Sequence, residues 1–464
     1  MLYPMFINGE KVSGSGTFDV LAPRTGEVCA KVAEVDAAKI DMALEAAQKG
    51  FERWSALPHI QRKAMLLRYV ELLEANKERL VELLMLETGK TRAIAEYDFG
   101  MLPTCIRFYL EEMERLDQPV FHDGEGRFLH YALRQPLGVV VGFLAWNFPL
   151  LNLGYKLGPA LAAGCSVIVK PSAETPLASL EAAYLLKEAG LPDGVVNVIT
   201  ASGHEITNRL LHSPVPAMVT MIGSTKAGRE VMRESCSAIR HFSMELGGNA
   251  PVLVFDDADI EDAARKVVEL KFSNCGQICV APNRCFVHES VYEKFLDAAV
   301  STLAQQEIAP LINAKARDRV LALVEKAVAE GATIVVGGHA CAGPGFFMEG
   351  TILRDVTPQM EIAQTEIFGP VLPCLPFSDS DDPARLANDT PYGLAAYVFT
   401  RDLQRALRMA RDIQAGSVCV NEPYYAVHLP HGGMKQSGIG RDCSRYSLEE
   451  YLTLKRVSIC VENS

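Results

Sequence analysis

LGVVVGFLAWNFPL, residues 137 to 150, is the stretch that decides the fold. Its apolar run, Leu137 to Trp146, is the longest in the chain and about half of the roughly 20 residues needed to cross a bilayer, so it reads as a buried strand. The same rhythm continues outward. GVVVGFLA, SVIVKPS, VVNVIT and AMVTMIGS each lead into a helix-like segment, which predicts βαβ units and a parallel, doubly wound sheet. A second alternating series starts after Gly247 with APVLVF, passes through the helix-like DIEDAARKVVELKF and returns at ATIVVGG and AYVFT. The fold class is α/β, with two doubly wound domains.

The first third reads as helices. QRKAMLLRYVELLEANKERLVELLMLETGK keeps Leu66, Val70, Leu73, Leu80 and Leu84 at helical spacing and stops at Gly89. PVFHDGEGRFLHYALRQPLG alternates on both sides of a Gly turn and predicts a hairpin inserted into the first domain. The C-terminal EEYLTLKRVSICVEN also alternates, with no partner nearby in sequence. Both could pair with another subunit; hairpins local to the chain's own sheet edge are the plainer alternative.

Composition narrows the function classes. A chain of 464 residues divides into two or three domains with their own cores. Its 12 cysteines are scattered, without the spacing of a secreted disulfide framework, and most are expected to be reduced. MLYPMFINGEKVSG lacks a basic leader followed by an apolar run, so a cytoplasmic protein without membrane association is expected. A net charge of −12, with no basic run among aromatics, argues against nucleic acid as a partner.

The chemistry concentrates around FSNCGQICVAPNR, residues 272 to 284, with Cys275 and Cys279. A reactive cysteine needs a stabilised thiolate, an open approach, and a base and oxyanion donor close by. Glu245 in FSMELGGNAP ends a predicted strand before Gly247 and Gly248, which suits a base that must swing, though for Glu-Leu-Gly-Gly in isolation a surface Glu before a tight turn is the better reading. Asn147 follows a parallel strand, where its amide can meet a developing oxyanion; the plain alternative is a turn residue before Pro149. Lys170 in VIVKPSAETP suits ribose or phosphate oxygens, or simply a solvated strand end. MIGSTKAGRE ends a strand at Gly223 and opens a helix with Ser224 and Thr225, Gly228 following, as a pyrophosphate site would; the spacing is not that of GxGxxG. QTEIFGPV adds Glu366 and Phe368 beside a rigid turn.

In this order and spacing, ELGG, then GQICVA with its cysteine 34 residues after Glu245, then EIFGP, PYGLAA and GGMKQSGIGR, the chain resembles the aldehyde dehydrogenase superfamily over nearly its whole length. The resemblance implies an NAD(P)-dependent, hydrolytic enzyme with NAD or NADP as cofactor. It implies a dinucleotide-binding domain over 1–116 and 138–247, a catalytic domain over 248–446, and an oligomerisation hairpin and C-terminal strand over 117–137 and 447–464. It makes Cys279 rather than Cys275 the nucleophile. Asn147 and the Cys279 N–H would hold the oxyanion of the thiohemiacetal, which gives its hydride to nicotinamide, and Glu245 would activate the water that hydrolyses the thioester. Lys170, Ser172, Trp146, Gly223, Ser224, Gly228, Leu246, Gly247, Glu366 and Phe368 become cofactor contacts. No metal is implied: no second Cys or His pair has suitable spacing, and His428 and His431 read as loop residues. A homodimer or homotetramer is expected.

Two departures stand out. Where NAD-preferring relatives often carry a Glu three residues after the strand-end lysine, this chain has Ala173, with Glu174 one later, so NADP is expected to be accepted alongside NAD. STLAQQEIAPLINAKARDRV is shorter than the family pattern before PLI, which is expected to alter surface or assembly contacts and leave catalysis intact. Asn152, Tyr155, Ser273, Tyr424 and Tyr425 are expected to line the substrate tunnel. Relatives acting on succinic semialdehyde resemble one another in having arginines at the places of Tyr155 and Ser273. The aldehyde expected here is therefore a small hydroxyaldehyde of the lactaldehyde or glycolaldehyde type, with an aminoaldehyde or semialdehyde as the alternative. A CoA-acylating enzyme is disfavoured by Glu245, and a non-catalytic structural protein by the joint presence of Asn147, Glu245 and Cys279.

Overall fold

The structure is a computed structural model, and it describes residues 2–203 and 205–461. The first alternating series forms an eight-stranded sheet. Its order is Gly438–Ile439, His241–Glu245, Pro216–Ile222, Val139–Phe143, Ser166–Lys170, Val196–Val198, Met5–Ile7, Glu10–Val12. The five strands from His241–Glu245 to Val196–Val198 are parallel. Val139, Val140, Val141, Val167, Ile168 and Val169 are essentially sealed from solvent between the helical layers, as the near-continuous apolar strands of a parallel sheet must be. At about 1.5–3 kcal/mol for each large aliphatic side chain buried, these strands anchor the domain.

The second series forms a seven-stranded sheet in the order Thr333–Val336, Thr351–Arg354, Val371–Phe377, Pro282–His288, Ala250–Val254, Ala395–Phe399, Ser417–Val420. All neighbours pair in parallel except the first two. Gly438–Ile439, inside the stretch expected to belong with this sheet, instead pairs antiparallel with the edge of the first, setting Gly438 opposite Glu245.

The expectation of a wholly helical first third is corrected. Residues 2 to 34 hold five short strands, three of which, Leu2–Tyr3, Val28–Glu34 and Gly16–Leu21, make a sheet of their own. Leu2–Tyr3, Met5–Ile7 and Glu10–Val12, at two or three residues, are too short to show a period of two. The long apolar-periodic stretch is two helices, His59–Ala75 and Lys77–Thr88, broken at Asn76, whose side chain donates to the Leu72 carbonyl. Gly89 ends the second in the left-handed region, φ 72°, as a helix-terminating glycine does.

The C-terminal strand finds its partner within the chain. Leu452–Cys460 pairs along its whole length with Phe128–Pro136, which also pairs with Val120–Phe121. More than 300 residues of sequence hide that register, which only the folded topology brings together. Residues 462–464 of the expected C-terminal segment lie outside the described residues. No described helix is long and apolar enough to cross a membrane.

Candidate active site

Between the two sheets lies a cavity of about 710 Å³. Segments that follow parallel strands of the first sheet supply one wall: Ala145 to Phe148, Gly223 with Ser224, and Leu246 with Gly247. This is the edge at which open α/β sheets present ligands. The opposite wall carries Ser273, Ile278, Cys279, Val280, Glu366 and Phe368.

Cys279 stands just ahead of strand Pro282–His288, after a turn in which Asn274, Cys275 and Gly276 all have positive φ, at 47°, 60° and 69°. Asn274 Nδ2 donates to the carbonyls of Asn147 and Gln277. Gln277 ties the far side down, donating to Asn274 and Pro310 and accepting from Ile312 N–H. A strained turn persists only where its surroundings over-determine it, and these bonds do so. Gly248 completes the support, since a Cβ there would fall 2.3 Å from the Cys279 carbonyl oxygen. Cys275 is fully buried in the second domain's core. All 12 cysteines are free thiols.

Asn147 Nδ2 donates to the Gln277 carbonyl at 3.1 Å, leaving its second N–H for another acceptor. Its Oδ1 accepts from Asn152 at 3.3 Å, and Asn152 also donates to Ala145 O, so Asn152 orients the amide as well as lining the cavity. Lys90 and Asp98, a fully buried ion pair at 2.6 Å, hold the same segment. Lys90 donates to the Asn147 carbonyl, and Asp98 accepts the N–H groups of Leu150 and Leu151 at the start of helix Pro149–Ala163, which has no cap of its own.

Glu245 ends its strand inside the cavity, and neither carboxylate oxygen has a hydrogen-bond partner among the described residues. Burial, then the charge of Asp442, pushes its carboxyl well above the ordinary range, with Lys156 and Arg441 opposing. Glu366 accepts from Gly248 N–H at 2.9 Å and is pushed up to about 7, mainly by burial. The Cys279 thiol is raised by burial first, then by Glu245 and Glu366, while the backbone N–H groups of Cys279 and Val280 favour the thiolate. This is a guarded thiol beside two carboxyl groups, one of them free to move.

With Cys279, Glu245, Asn147 and the GQICVA turn now around one cavity, the comparisons with known proteins fall into place. The family model described as "Aldehyde dehydrogenase family" matches residues 11–457. The chain belongs to the aldehyde dehydrogenase family. It is 40% identical to the mitochondrial succinate-semialdehyde dehydrogenase of Arabidopsis thaliana, over 96% of this chain and 86% of that protein. It is 36% identical to the succinate-semialdehyde dehydrogenase [NADP(+)] of Escherichia coli, over 98% and 97%. The NAD+ complex of an aldehyde dehydrogenase from Bacillus cereus superposes with a TM-score of 0.96 at 35% identity, covering 100% of this chain and 97% of that one.

The cavity of this aldehyde dehydrogenase gathers Trp146, Asn147, Asn152, Tyr155, Gly223, Ser224, Glu245, Leu246, Gly247, Ser273, Cys279, Glu366, Phe368 and Tyr425. Lys170, Ser172 and Gly228 lie outside its lining. Gly228 packs under it instead: a Cβ there would strike Leu246 at 2.6 Å. Tyr424 is corrected, being 59% exposed and outside the cavity. Tyr425, the next residue, does line the cavity. Sequence reading missed Lys90, Asp98, Lys156, Asp442 and the inward turn of His431. Apolar flanks around Lys156, in NLGYKLGPALAA, were the available signal for a buried charge.

The residues at and beside the Gly223–Ser224 end of the cavity fit a dinucleotide. Lys170 is buried and has no ion-pair partner among the described residues, burial pushing it down to about 8. Helix Thr225–Glu234 points its start at the cavity, with Ser224 as cap. A Cβ on Gly247 would sit 2.6 Å from Glu366 Oε2, so only glycine keeps that approach open.

Proposed function

We propose that this aldehyde dehydrogenase oxidises a short semialdehyde to the carboxylate through a thioester on Cys279, using NAD or NADP. The observation that carries it is the meeting of Cys279, Asn147 and Glu245 in one cavity. Bound there, the nicotinamide of the cofactor would accept the hydride. Lys170, Ser172, Ser224, Glu366 and Phe368 are the residues that would hold it, in the first domain and at its border with the second.

The protein's own part follows from the geometry. Once its proton has gone to solvent, the Cys279 thiolate attacks the aldehyde carbon, and the oxygen takes up charge against the free N–H of Asn147 and the backbone N–H of Cys279, each such donor contributing about 3–4 kcal/mol in comparable sites. Glu245, unpartnered and raised, draws a proton from the water that cleaves the thioester. Glu366, fastened to Gly248 N–H, keeps its carboxylate at the cofactor side and away from that water.

The expected hydroxyaldehyde gives way to the semialdehyde for which relatives 40% and 36% identical to this chain are named. The tail of such a substrate would meet Ser273, Tyr155, Asn152, Tyr425 and His431, since among the described residues the one cationic side chain in the cavity lining, Arg319, is bound to the Glu366 carbonyl. That observation also supports the second reading, a small hydroxyaldehyde. The test is kcat/KM for succinic and glutaric semialdehydes against lactaldehyde, glycolaldehyde and 4-aminobutyraldehyde, with each nucleotide, by absorbance of the reduced cofactor. Semialdehydes should lead. Hydroxyaldehydes ahead by more than about tenfold, 1.4 kcal/mol, would overturn the choice.

A homodimer or homotetramer would cover the sheet containing Phe128–Pro136, where Val120, Phe121, Leu129, Leu454 and Ile459 are exposed. Light scattering on the purified chain, with Leu454→Lys expected to weaken assembly, tests this.

A further inference from the structure

Glu245 is surrounded by charge, yet nearly all of that charge is already spent. Lys156, on helix Pro149–Ala163, gives its ammonium to both oxygens of Asp442, at 2.7 and 2.8 Å, with both side chains fully buried. Arg441 donates to the carbonyls of Gly433 and Gly440. Glu450 accepts from Arg441 N–H. Around the same space stand the thiols of Cys279 and Cys443 and the phenols of Tyr155 and Tyr425, which a carboxylate cannot use as counter-charges.

Among the described residues two uncommitted groups remain: the second oxygen of Glu450, an acid that only repels Glu245, and the imidazole of His431. His431 Nε2 lies 3.6 Å from Glu245 Oε2. The histidine cannot drift: its N–H donates to Asp442 O at 2.8 Å and its carbonyl accepts from Asp442 N–H at 2.7 Å. Its ring stands between those of Tyr155 and Tyr425, at 6.3 and 6.0 Å. The next residue, Gly432, has φ 156°, and a Cβ there would fall 2.7 Å from Glu245 Oε1. The backbone beside the imidazole is thus cut away to receive this carboxyl group. Burial lowers the His431 pKa, with Asp442 opposing and Lys156 and Arg441 assisting, so the resting ring is neutral and holds a proton from Glu245 only in passing.

We propose that His431 is a positioning residue for Glu245 that also takes its proton: the two form an acid–base pair serving hydrolysis of the Cys279 thioester. It rests on the reading of Glu245 as the base. In the step, water loses a proton to Glu245 as its oxygen bonds to the acyl carbon. The carbon–sulfur bond breaks, and Cys279 leaves as the thiolate. The proton on Glu245 then passes to His431 Nε2, and the imidazolium releases it to solvent, restoring the carboxylate. The 3.6 Å gap is longer than a hydrogen bond, so a small rotation of Glu245 makes and breaks the contact.

The test separates formation of the thioester from its hydrolysis in His431→Phe, His431→Ala and Glu245→Gln. It uses the burst of reduced cofactor with aldehyde, and turnover of 4-nitrophenyl acetate, which acylates a thiol without cofactor. In His431→Phe the burst should persist while steady-state kcat falls about tenfold or more and its acid limb moves to higher pH, because Glu245 has lost the group that relieves it of a proton. Added imidazole should restore turnover in His431→Ala. Unchanged kcat and pH profile in His431→Phe, a change confined to KM, or failure of imidazole rescue in a folded His431→Ala would overturn the pair. Wild-type hydrolysis in Glu245→Gln would instead remove the assignment of the base. Stalled hydrolysis there beside normal hydrolysis in His431→Phe removes only the pair.

Discussion

Lys90 Nζ donates to the backbone carbonyl of Asn147 at 2.9 Å. A residue 57 positions upstream therefore sets where the oxyanion amide stands. Lys90→Met leaves Asp98 a buried carboxylate without its counter-charge, which costs about 3–5 kcal/mol. Chemical denaturation should show that loss, and kcat should fall with it because Asn147 keeps only Asn274 as a backbone anchor. The double variant Lys90→Met, Asp98→Leu should recover much of the stability and little of the kcat. Equal recovery of both would contradict a positioning role.

The thiol of Cys279 is raised by burial and by Glu245 and Glu366. Since only the thiolate is alkylated, its reaction with iodoacetamide should be slow at neutral pH and should still be climbing above pH 9, past the ordinary thiol value of about 8.5. Glu245→Gln removes one of the two nearby negative charges, so its profile should shift to lower pH. Peptide mass spectrometry of the labelled protein follows this site alone. A plateau below pH 8 in the free protein would refute it.

How much of this was legible beforehand depended on sequence distance. Strands such as Val139–Phe143 and Ser166–Lys170, and the end of the helix at Gly89, are set by local apolar runs and a local breaker, so they can be read directly. Cys279, Glu245 and Asn147 were legible because each sits in its own short motif. Lys156 with Asp442, and Leu452–Cys460 with Phe128–Pro136, are partnerships across about 300 residues that no local pattern announces. Tyr424 against Tyr425 turned on which way a loop faces, and two adjacent tyrosines carry no period.

Glu174 Oε1 accepts from Asn313 at 2.9 Å, and Asn313 Oδ1 caps helix Ala314–Ala329. That carboxylate is thereby committed to Asn313, and the position three residues after Lys170 is the uncharged Ala173. Ala173→Glu would set a carboxylate against a nucleotide 2′-phosphate, and like charges so placed cost several kcal/mol. NADP kcat/KM should fall by about tenfold or more, with NAD within about twofold. Equal loss for both nucleotides would show damage to the site rather than discrimination.

Gly248 is the last test, and it isolates geometry from chemistry. A methyl group on it meets the Cys279 carbonyl oxygen at 2.3 Å and the Leu394 side chain at 3.4 Å. The leucine can yield, but the carbonyl belongs to the nucleophile's own backbone, so relief must come from moving Cys279 or from moving the Gly248 N–H that holds Glu366. Neither removes a reacting group. A displacement of about 1 Å at a reacting centre can lower the rate about a hundredfold, and Gly248→Ala should lose kcat/KM on that scale while its circular dichroism and thermal midpoint stay near the parent's. Retention of full activity would mean that the loop before Pro282 is soft enough to absorb a methyl group, and that the hydrogen bonds of Asn274 and Gln277 do not fix the sulfur as tightly as their number implies.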